Sequence, residues 1–188
     1  MVVVFLANGF EEIEALTPVD FLRRAGAEVV TVAIEEGGAQ GREVVGAHGI
    51  TVLADVAERD FVLPENVEMV VLPGGMPGAS NLDESPLIDG VLYTARERGA
   101  YLCAICAAPL VLGHRGYLEG IHATCYPGFE TELCGGIYER EITVVTDGKI
   151  ITAPGMGTAQ QFGLKLVEVL YGKDRADQLC RSVMTPGI

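Results

Sequence analysis

Four short stretches of this chain are apolar at almost every position: Val2–Leu6, Glu28–Ile34, Glu68–Leu72 and Tyr101–Ile105. A strand that alternates polar and apolar residues can keep one face in water. A strand that is apolar throughout must be covered on both faces, as in a parallel sheet flanked by helices. The segments between them fit that reading. Ile13, Leu16, Val19, Leu22 and Ala25 recur at helical spacing, with Pro18 expected to kink the helix and Gly26 placed to stop it. Ser85-Pro86 opens a second helix that runs to Arg98 and stops at Gly99. Alternating strands and helices predict a doubly wound α/β sandwich, which binds ligands at the carboxyl ends of its strands.

The rest of the chain fills out this plan. Gly37-Gly38 predicts a turn, and Val44–Val45 with Ile50–Leu53 predict short strands around His48-Gly49. Asp55–Glu65 reads as irregular or weakly helical, and His122–Thr124 as a short strand. Ile142–Thr146 and Lys149–Thr152 flank Asp147-Gly148, a two-residue hairpin signal. Helices over Thr158–Tyr171 and Lys173–Val183 close the chain. With 188 residues and neither internal repeats nor low-complexity linkers, residues 1–188 are expected to form one domain.

Charge and cysteine usage narrow the function. Thirteen basic against 26 acidic residues give a formal net charge of −13. That surplus argues against binding nucleic acid or anionic membrane surfaces, both of which need a basic footprint. The odd count of five cysteines does not suit a disulfide framework and points to thiols in a reducing compartment. Met1–Ala7 lacks a basic segment and is stopped by Asn8-Gly9, and no apolar run approaches ~18 residues. The expected location is the cytoplasm, with no membrane partner.

Three strand-to-loop junctions converge on the sheet's carboxyl edge: Asn8–Glu14, Leu72–Gly75 and Ala104–Pro109. Cys106 lies where a buried strand turns directly into a helix. Such an elbow lifts the side chain toward a cleft, and the helix start is expected to lower the thiol pKa. Ala107 and Ala108 leave backbone N–H groups open to a developing oxyanion, and Gly74-Gly75 can offer another. The alternative is that Cys106 is one more small buried hydrophobe. Glu14, in the first turn of the first helix, could meet Cys106 across the sheet edge. By position alone it reads rather as a solvated glutamate that complements the helix dipole, as do Glu11 and Glu12.

Other polar residues carry weaker signals. Cys103 and Cys106 spell C-x-x-C, but Cys103 sits inside an apolar strand, so a redox dithiol is not expected. Cys125 and Cys134 are too far apart for a second zinc knuckle, so no metal site is predicted. Cys125 follows a short strand and is a candidate pocket residue. His48, His114 and His122 read as surface or loop residues. Gly74-Gly75 and Gly155-Met156-Gly157 lack the lysine of a phosphate loop and the full dinucleotide fingerprint, so no cofactor is expected.

Together, Gly9–Glu14, Leu72–Gly75 and Ala104–Pro109 resemble the ThiJ/PfpI superfamily. Pro18-Val19-Asp20, Arg23–Gly26 and Gly155–Thr158 continue the likeness nearly end to end. The resemblance is greatest to the branch of the YajL chaperone and the parkinsonism-associated protein deglycase. It implies a flavodoxin-like three-layer α/β/α sandwich related to class I glutamine amidotransferases, and a homodimer. It implies Cys106 as nucleophile and oxidation-sensitive thiol, and Glu14 as its protonated partner and proton shuttle. Gly75 and Ala107 would supply N–H groups to an oxyanion or sulfinate, and Gly74, Tyr126, Cys125 and Gly155 would line the pocket.

Departures from the pattern matter. The protease-like branch has histidine directly after the nucleophilic cysteine; here Ala107 stands there, which argues against peptidase activity. The deglycase branch often has histidine before the loop proline, where this chain has Tyr126 before Pro127. Pro154 stands where the animal proteins carry arginine. The expected function is a cofactor-free glyoxalase- or deglycase-like enzyme acting on α-oxoaldehydes or glycated adducts. The alternative is an oxidative-stress sensor or redox-gated chaperone working through oxidation of Cys106.

Overall fold

A computed structural model describes residues 1–35 and 41–185. The turn expected at Gly37-Gly38 lies outside the described residues. The apolar runs become strands β1 (Val2–Leu6), β2 (Val29–Ala33), β6 (Met69–Leu72) and β7 (Tyr101–Ile105). They join β5 (Val56–Ala57), β10 (Val145–Asp147) and β11 (Ile150–Ala153) in a seven-stranded sheet of order β10-β11-β7-β6-β1-β2-β5. Every pairing is parallel except β10 with β11. The chain winds from β1 to β2 in one direction, then returns to β6 on the other side of β1. This is the flavodoxin-like winding, and its switch point lies between β1 and β6.

Each face of the sheet has its own core. Val2, Val4 and Leu6 of β1 join one apolar cluster, and Val3 and Phe5 join the other. Successive strand side chains point to opposite faces, so a strand covered on both sides must be apolar at every position. Helices α1 (Glu12–Ala25), α5 (Ala159–Tyr171) and α6 (Lys173–Ser182) cover the first face with Leu22, Phe162 and Leu179. Helices α2 (Gly78–Glu84), α3 (Pro86–Glu97) and α4 (Pro109–His114) cover the second with Leu82, Leu92 and Val111. The result is the expected three-layer sandwich. Among the described residues, no helix is long and apolar enough to cross a membrane.

Several local expectations hold. Gly26 closes α1 at φ +94°, its N–H donating to the Arg23 carbonyl. Helix α1 runs from Glu12 to Ala25 across Pro18. Pro86 opens α3 and Gly99 follows it at φ +74°. Residues 43–45 (β3) and 51–53 (β4) pair as an antiparallel hairpin.

Other details differ. In the β10–β11 hairpin Asp147 pairs with Ile150, so the turn is Gly148-Lys149 and the first strand begins at Val145. The stretch 55–65 contains the two-residue β5, which is held to the sheet edge by pairing with β2. The segment Gly78–Glu84 (GASNLDE) is helical although glycine, serine and asparagine are poor helix formers. Burial of Ala79 and Leu82 against the second core supplies what propensity does not. His122–Ala123 (β8) pairs in parallel with Ile137–Tyr138 (β9), a partner strand the pattern did not reveal.

Candidate active site

The carboxyl ends of β1, β6 and β7 meet at the switch point, and Cys106 stands there. It follows the last residue of β7 and adopts φ +65°, a left-handed conformation rare for a residue with a side chain. Such strain persists only where the surroundings fix it. The Cys106 N–H donates to the Ala153 carbonyl at 2.9 Å, and its carbonyl accepts the Tyr126 N–H at 2.8 Å. Helix α4 begins only at Pro109, so Cys106 sits in a turn ahead of the helix.

Glu14 reaches this turn from α1. The cap of that helix is the Glu11 side chain, which accepts the Glu14 N–H at 2.7 Å. Glu14 is buried, and its Oε2 accepts the Gly74 N–H at 3.0 Å. Gly74 has to be glycine: a Cβ there would lie 2.6 Å from both the Cys106 Cβ and the Glu14 Oε2. The Cys106 thiol and the Met156 N–H are the carboxyl's further, looser partners, and Oε1 has no aligned partner of its own.

The electrostatics follow from this packing. Burial, helped by the nearby Glu11 charge, pushes the Glu14 carboxyl from 4.5 up to about 7, against the hydrogen bonds from Cys106, Gly74 and Met156. Burial, then the charge of Glu14 and its hydrogen bond, push the Cys106 thiol from 9.0 up to about 12, against the Gly75 and Ala107 N–H groups that face the sulfur. The expected lowering of the thiol pKa is therefore outweighed. The pair behaves as one unit: it releases a first proton near neutrality and resists releasing a second, because two negative charges cannot share a dry site.

With this geometry in view, a family model described as DJ-1/PfpI family matches residues 1–169. The chain belongs to the DJ-1/PfpI family. It is 36% identical to Drosophila melanogaster protein dj-1beta over 182 residues, covering 96% of this chain and 95% of that one. It is 34% identical to the Caenorhabditis elegans glutathione-independent glyoxalase DJR-1.2 over 172 residues, covering 91% and 88%. The crystal structure of Drosophila DJ-1beta superposes with a TM-score of 0.90 over 98% of this chain and 97% of that one, at 34% identity.

The other family positions divide into those near the sulfur and those away from it. Gly75, at φ +88°, packs where a Cβ would strike the backbone of Gly9, Phe10 and Glu11. The Tyr126 ring lies 3.4 Å from where a Gly155 side chain would begin, and Glu14 Oε1 lies 4.0 Å from the same point. Cys125 is buried in the second core, and burial together with the Glu130 charge pushes its thiol up to about 12. Cys103 is fully buried in the first core and its thiol is pushed well above 9.0 by burial.

The histidines are engaged elsewhere. His114 bridges Asp83 and Glu132 at 2.7 and 2.9 Å, and His122 meets Glu139 at 2.6 Å. His48 holds the buried Glu12, its N–H donating to Oε1 at 2.8 Å and its Nδ1 meeting Oε2 at 2.7 Å. Glu11, Glu12 and His48 are the one grouping among the described residues with ligand atoms close enough to hold a metal ion. Both Glu12 oxygens already serve His48, and Glu11 Oε2 caps the helix, so the three are satisfied as they stand. Glu12 was missed in the sequence because nothing in its pattern separates it from the half-buried Glu11. Met76 and Met156, which flank the site beside Gly75 and Gly155, also left no periodic signal.

Proposed function

We propose that this protein is a cofactor-free, cysteine-dependent enzyme of the cytoplasm, acting on small α-oxoaldehydes or on their adducts with proteins and thiols. The Cys106–Glu14 pair carries the reading: a half-buried thiol beside a buried carboxyl, the two losing only one proton near neutrality beneath two backbone N–H groups. The name of the C. elegans relative supports the substrate class.

The reaction follows from what these groups can do. The thiol proton passes to Glu14, and sulfur attacks the aldehyde carbon, forming a C–S bond. The carbonyl electron pair moves to oxygen beside the Gly75 and Ala107 N–H groups, and that oxygen takes the proton from Glu14. The Glu14 carboxylate then removes the proton from the former aldehyde carbon, the hydroxyl proton passes to the neighbouring oxygen, and Glu14 returns its own proton to the adjacent carbon. Water attacks the resulting α-hydroxy thioester, the C–S bond breaks, and sulfur regains its proton. One water is added overall and an α-hydroxy acid leaves. The test is methylglyoxal consumption by wild type, Cys106→Ser and Glu14→Gln. Loss of activity in both variants is expected, and equal rates in all three would overturn the reading.

A second reading, an oxidation sensor or redox-gated chaperone, draws on the same N–H groups. With Glu14 protonated, they would hold a Cys106 sulfinate. After mild peroxide, mass spectrometry should find Cys106 oxidised ahead of Cys103 and Cys180; equal oxidation would sink this alternative.

We also read the protein as a homodimer. Ile13 and Leu16 on α1 and Val45, Ile50 and Leu53 on the β3–β4 hairpin are exposed. The hairpin is tied to the start of α1 by the Gly9 N–H to the Val45 carbonyl and the Ala47 N–H to the Phe10 carbonyl. Exposed apolar residues gathered on adjoining elements support an association surface. Light scattering on wild type and Leu16→Glu should give dimer and monomer; a monomeric wild type would contradict it.

A further inference from the structure

We infer that Met76, Tyr126 and Met156 form an apolar rim around Cys106 that selects neutral α-oxoaldehydes with an aryl or bulky alkyl substituent over methylglyoxal and over anionic aldehydes. The inference rests on Cys106 being the nucleophile proposed above.

Each rim residue is fixed to the site by its own backbone. Met76 directly follows Gly75, whose N–H faces the sulfur. Tyr126 donates its N–H to the Cys106 carbonyl. Met156 directs its backbone N–H to Glu14. From these three anchors the side chains stand half-exposed, Met76 at 49% with its Sδ accepting a weak hydrogen bond from Ser80 Oγ at 3.8 Å, Tyr126 at 51% and Met156 at 52%. Three large apolar groups thus stand half-wet where the substrate must enter. Covering them is favourable, because their apolar area leaves water when a ligand does so.

Their chemistry specifies what should cover them. The tyrosine ring offers a face for stacking. Two thioethers are polarisable and make favourable contacts with aromatic edges. With the reacting carbonyl oxygen beside Gly75 and Ala107, the far substituent of an oxoaldehyde extends outward into this rim. A methyl group would reach little of it, whereas a phenyl ring would lie against it.

Charge works in the same direction. The charged group acting on Glu14 is Glu11, and the one acting on Cys106 is Glu14 itself. The segment Pro154–Thr158 carries no lysine or arginine. A carboxylate or phosphate on the substrate would meet the Glu11 and Glu14 carboxyls, and the cation grouped with Glu11, His48, is already paired with Glu12.

Two measurements test the inference. The first compares kcat/KM for phenylglyoxal, methylglyoxal and 4-carboxyphenylglyoxal in wild type and in the triple variant Met76→Ser, Tyr126→Ser, Met156→Ser. The phenylglyoxal-to-methylglyoxal ratio should fall roughly tenfold in the variant, the size of one lost aromatic contact, and 4-carboxyphenylglyoxal should be a poorer substrate of the wild type than phenylglyoxal. The second needs no turnover. Alkylation of Cys106 by N-benzyliodoacetamide, iodoacetamide and iodoacetate is followed by peptide mass spectrometry, with the exposed Cys134 as internal reference for reagent reactivity. The benzyl reagent should be favoured and iodoacetate disfavoured at Cys106 relative to Cys134, and the triple variant should lose the preference.

If methylglyoxal is consumed through Cys106 but the triple variant shifts neither ratio, the rim inference is overturned and the enzymatic reading stands. If no oxoaldehyde is consumed but the alkylation preference holds and depends on the rim, the enzymatic reading fails and the rim stands as an apolar recognition site. If alkylation at Cys106 shows no preference over Cys134, the rim inference fails whatever the turnover.

Discussion

Glu12 and Glu14 leave the same turn of α1 two residues apart, both are buried, and their surroundings treat them in opposite ways. Burial works against the charge at each. At Glu12, hydrogen bonds from the His48 ring and backbone, with the charge of that histidine, more than offset it and hold the carboxyl below its usual 4.5. At Glu14 the hydrogen bonds from Cys106, Gly74 and Met156 do not offset burial and the charge of Glu11, so the carboxyl rises to about 7. One carboxylate is a clasp between a helix and a hairpin loop; the other retains a proton where a reaction can use it. Position in a helix does not separate them. The partner does.

The largest expected effect breaks this comparison most easily. Glu14→Gln should lower kcat/KM for methylglyoxal by about 10²–10⁴, the usual worth of a positioned acid–base group. Glu12→Gln should lower it less than about tenfold. Equal losses would mean that the two carboxylates are not distinguished by function.

Stability should respond in the reverse sense. A carboxyl whose folded pKa is raised contributes stability that is present below its unfolded value of 4.5 and lost as pH rises through about 7. Glu14→Gln removes that loss. Urea unfolding at pH 8 should find the variant more stable than wild type by on the order of 3 kcal/mol, and the gain should vanish toward pH 4.5. A pH-independent difference would contradict the raised pKa.

Gly74→Ala forces a methyl group between Cys106 and Glu14 and should destabilise by about 1–3 kcal/mol, as overpacking does, while also lowering turnover. An active variant of wild-type stability would show that the two groups are not packed together as described.

The smallest effect belongs to the clasp. The share of Glu12, whose pKa is lowered, is present above 4.5 and lost as pH falls through its folded value. The share of His48, whose pKa is raised, is present below 6.5 and lost as pH rises through its folded value. The Tm gap between wild type and His48→Ala should therefore be widest between pH 4.5 and 6.5 and narrow on either side. A flat gap would remove the ion pair from the account.

Much of the fold was legible because double-sided burial leaves an unambiguous trace. Val2–Leu6 cannot be anything but covered on both faces, and Gly26 and Gly99 mark helix ends by adopting conformations that favour glycine. The helix at Gly78–Glu84 and the short β5 and β9 were not legible, since packing and edge pairing create them against or without local preference. Cys106 could be singled out by its place at the end of a strand. Glu14 could not, because burial at a sheet edge depends on what the loops after β6 and β11 bring to it. The rim of Met76, Tyr126 and Met156 was likewise invisible, being assembled from three segments far apart in the chain.

The most direct test of the central contrast is a carboxyl-carbon NMR titration of the wild-type protein, with Glu12→Gln and Glu14→Gln used to assign the signals. The account predicts a Glu14 midpoint of about 7 and a Glu12 midpoint below 4.5. Two carboxyls titrating together near 4.5 would contradict it.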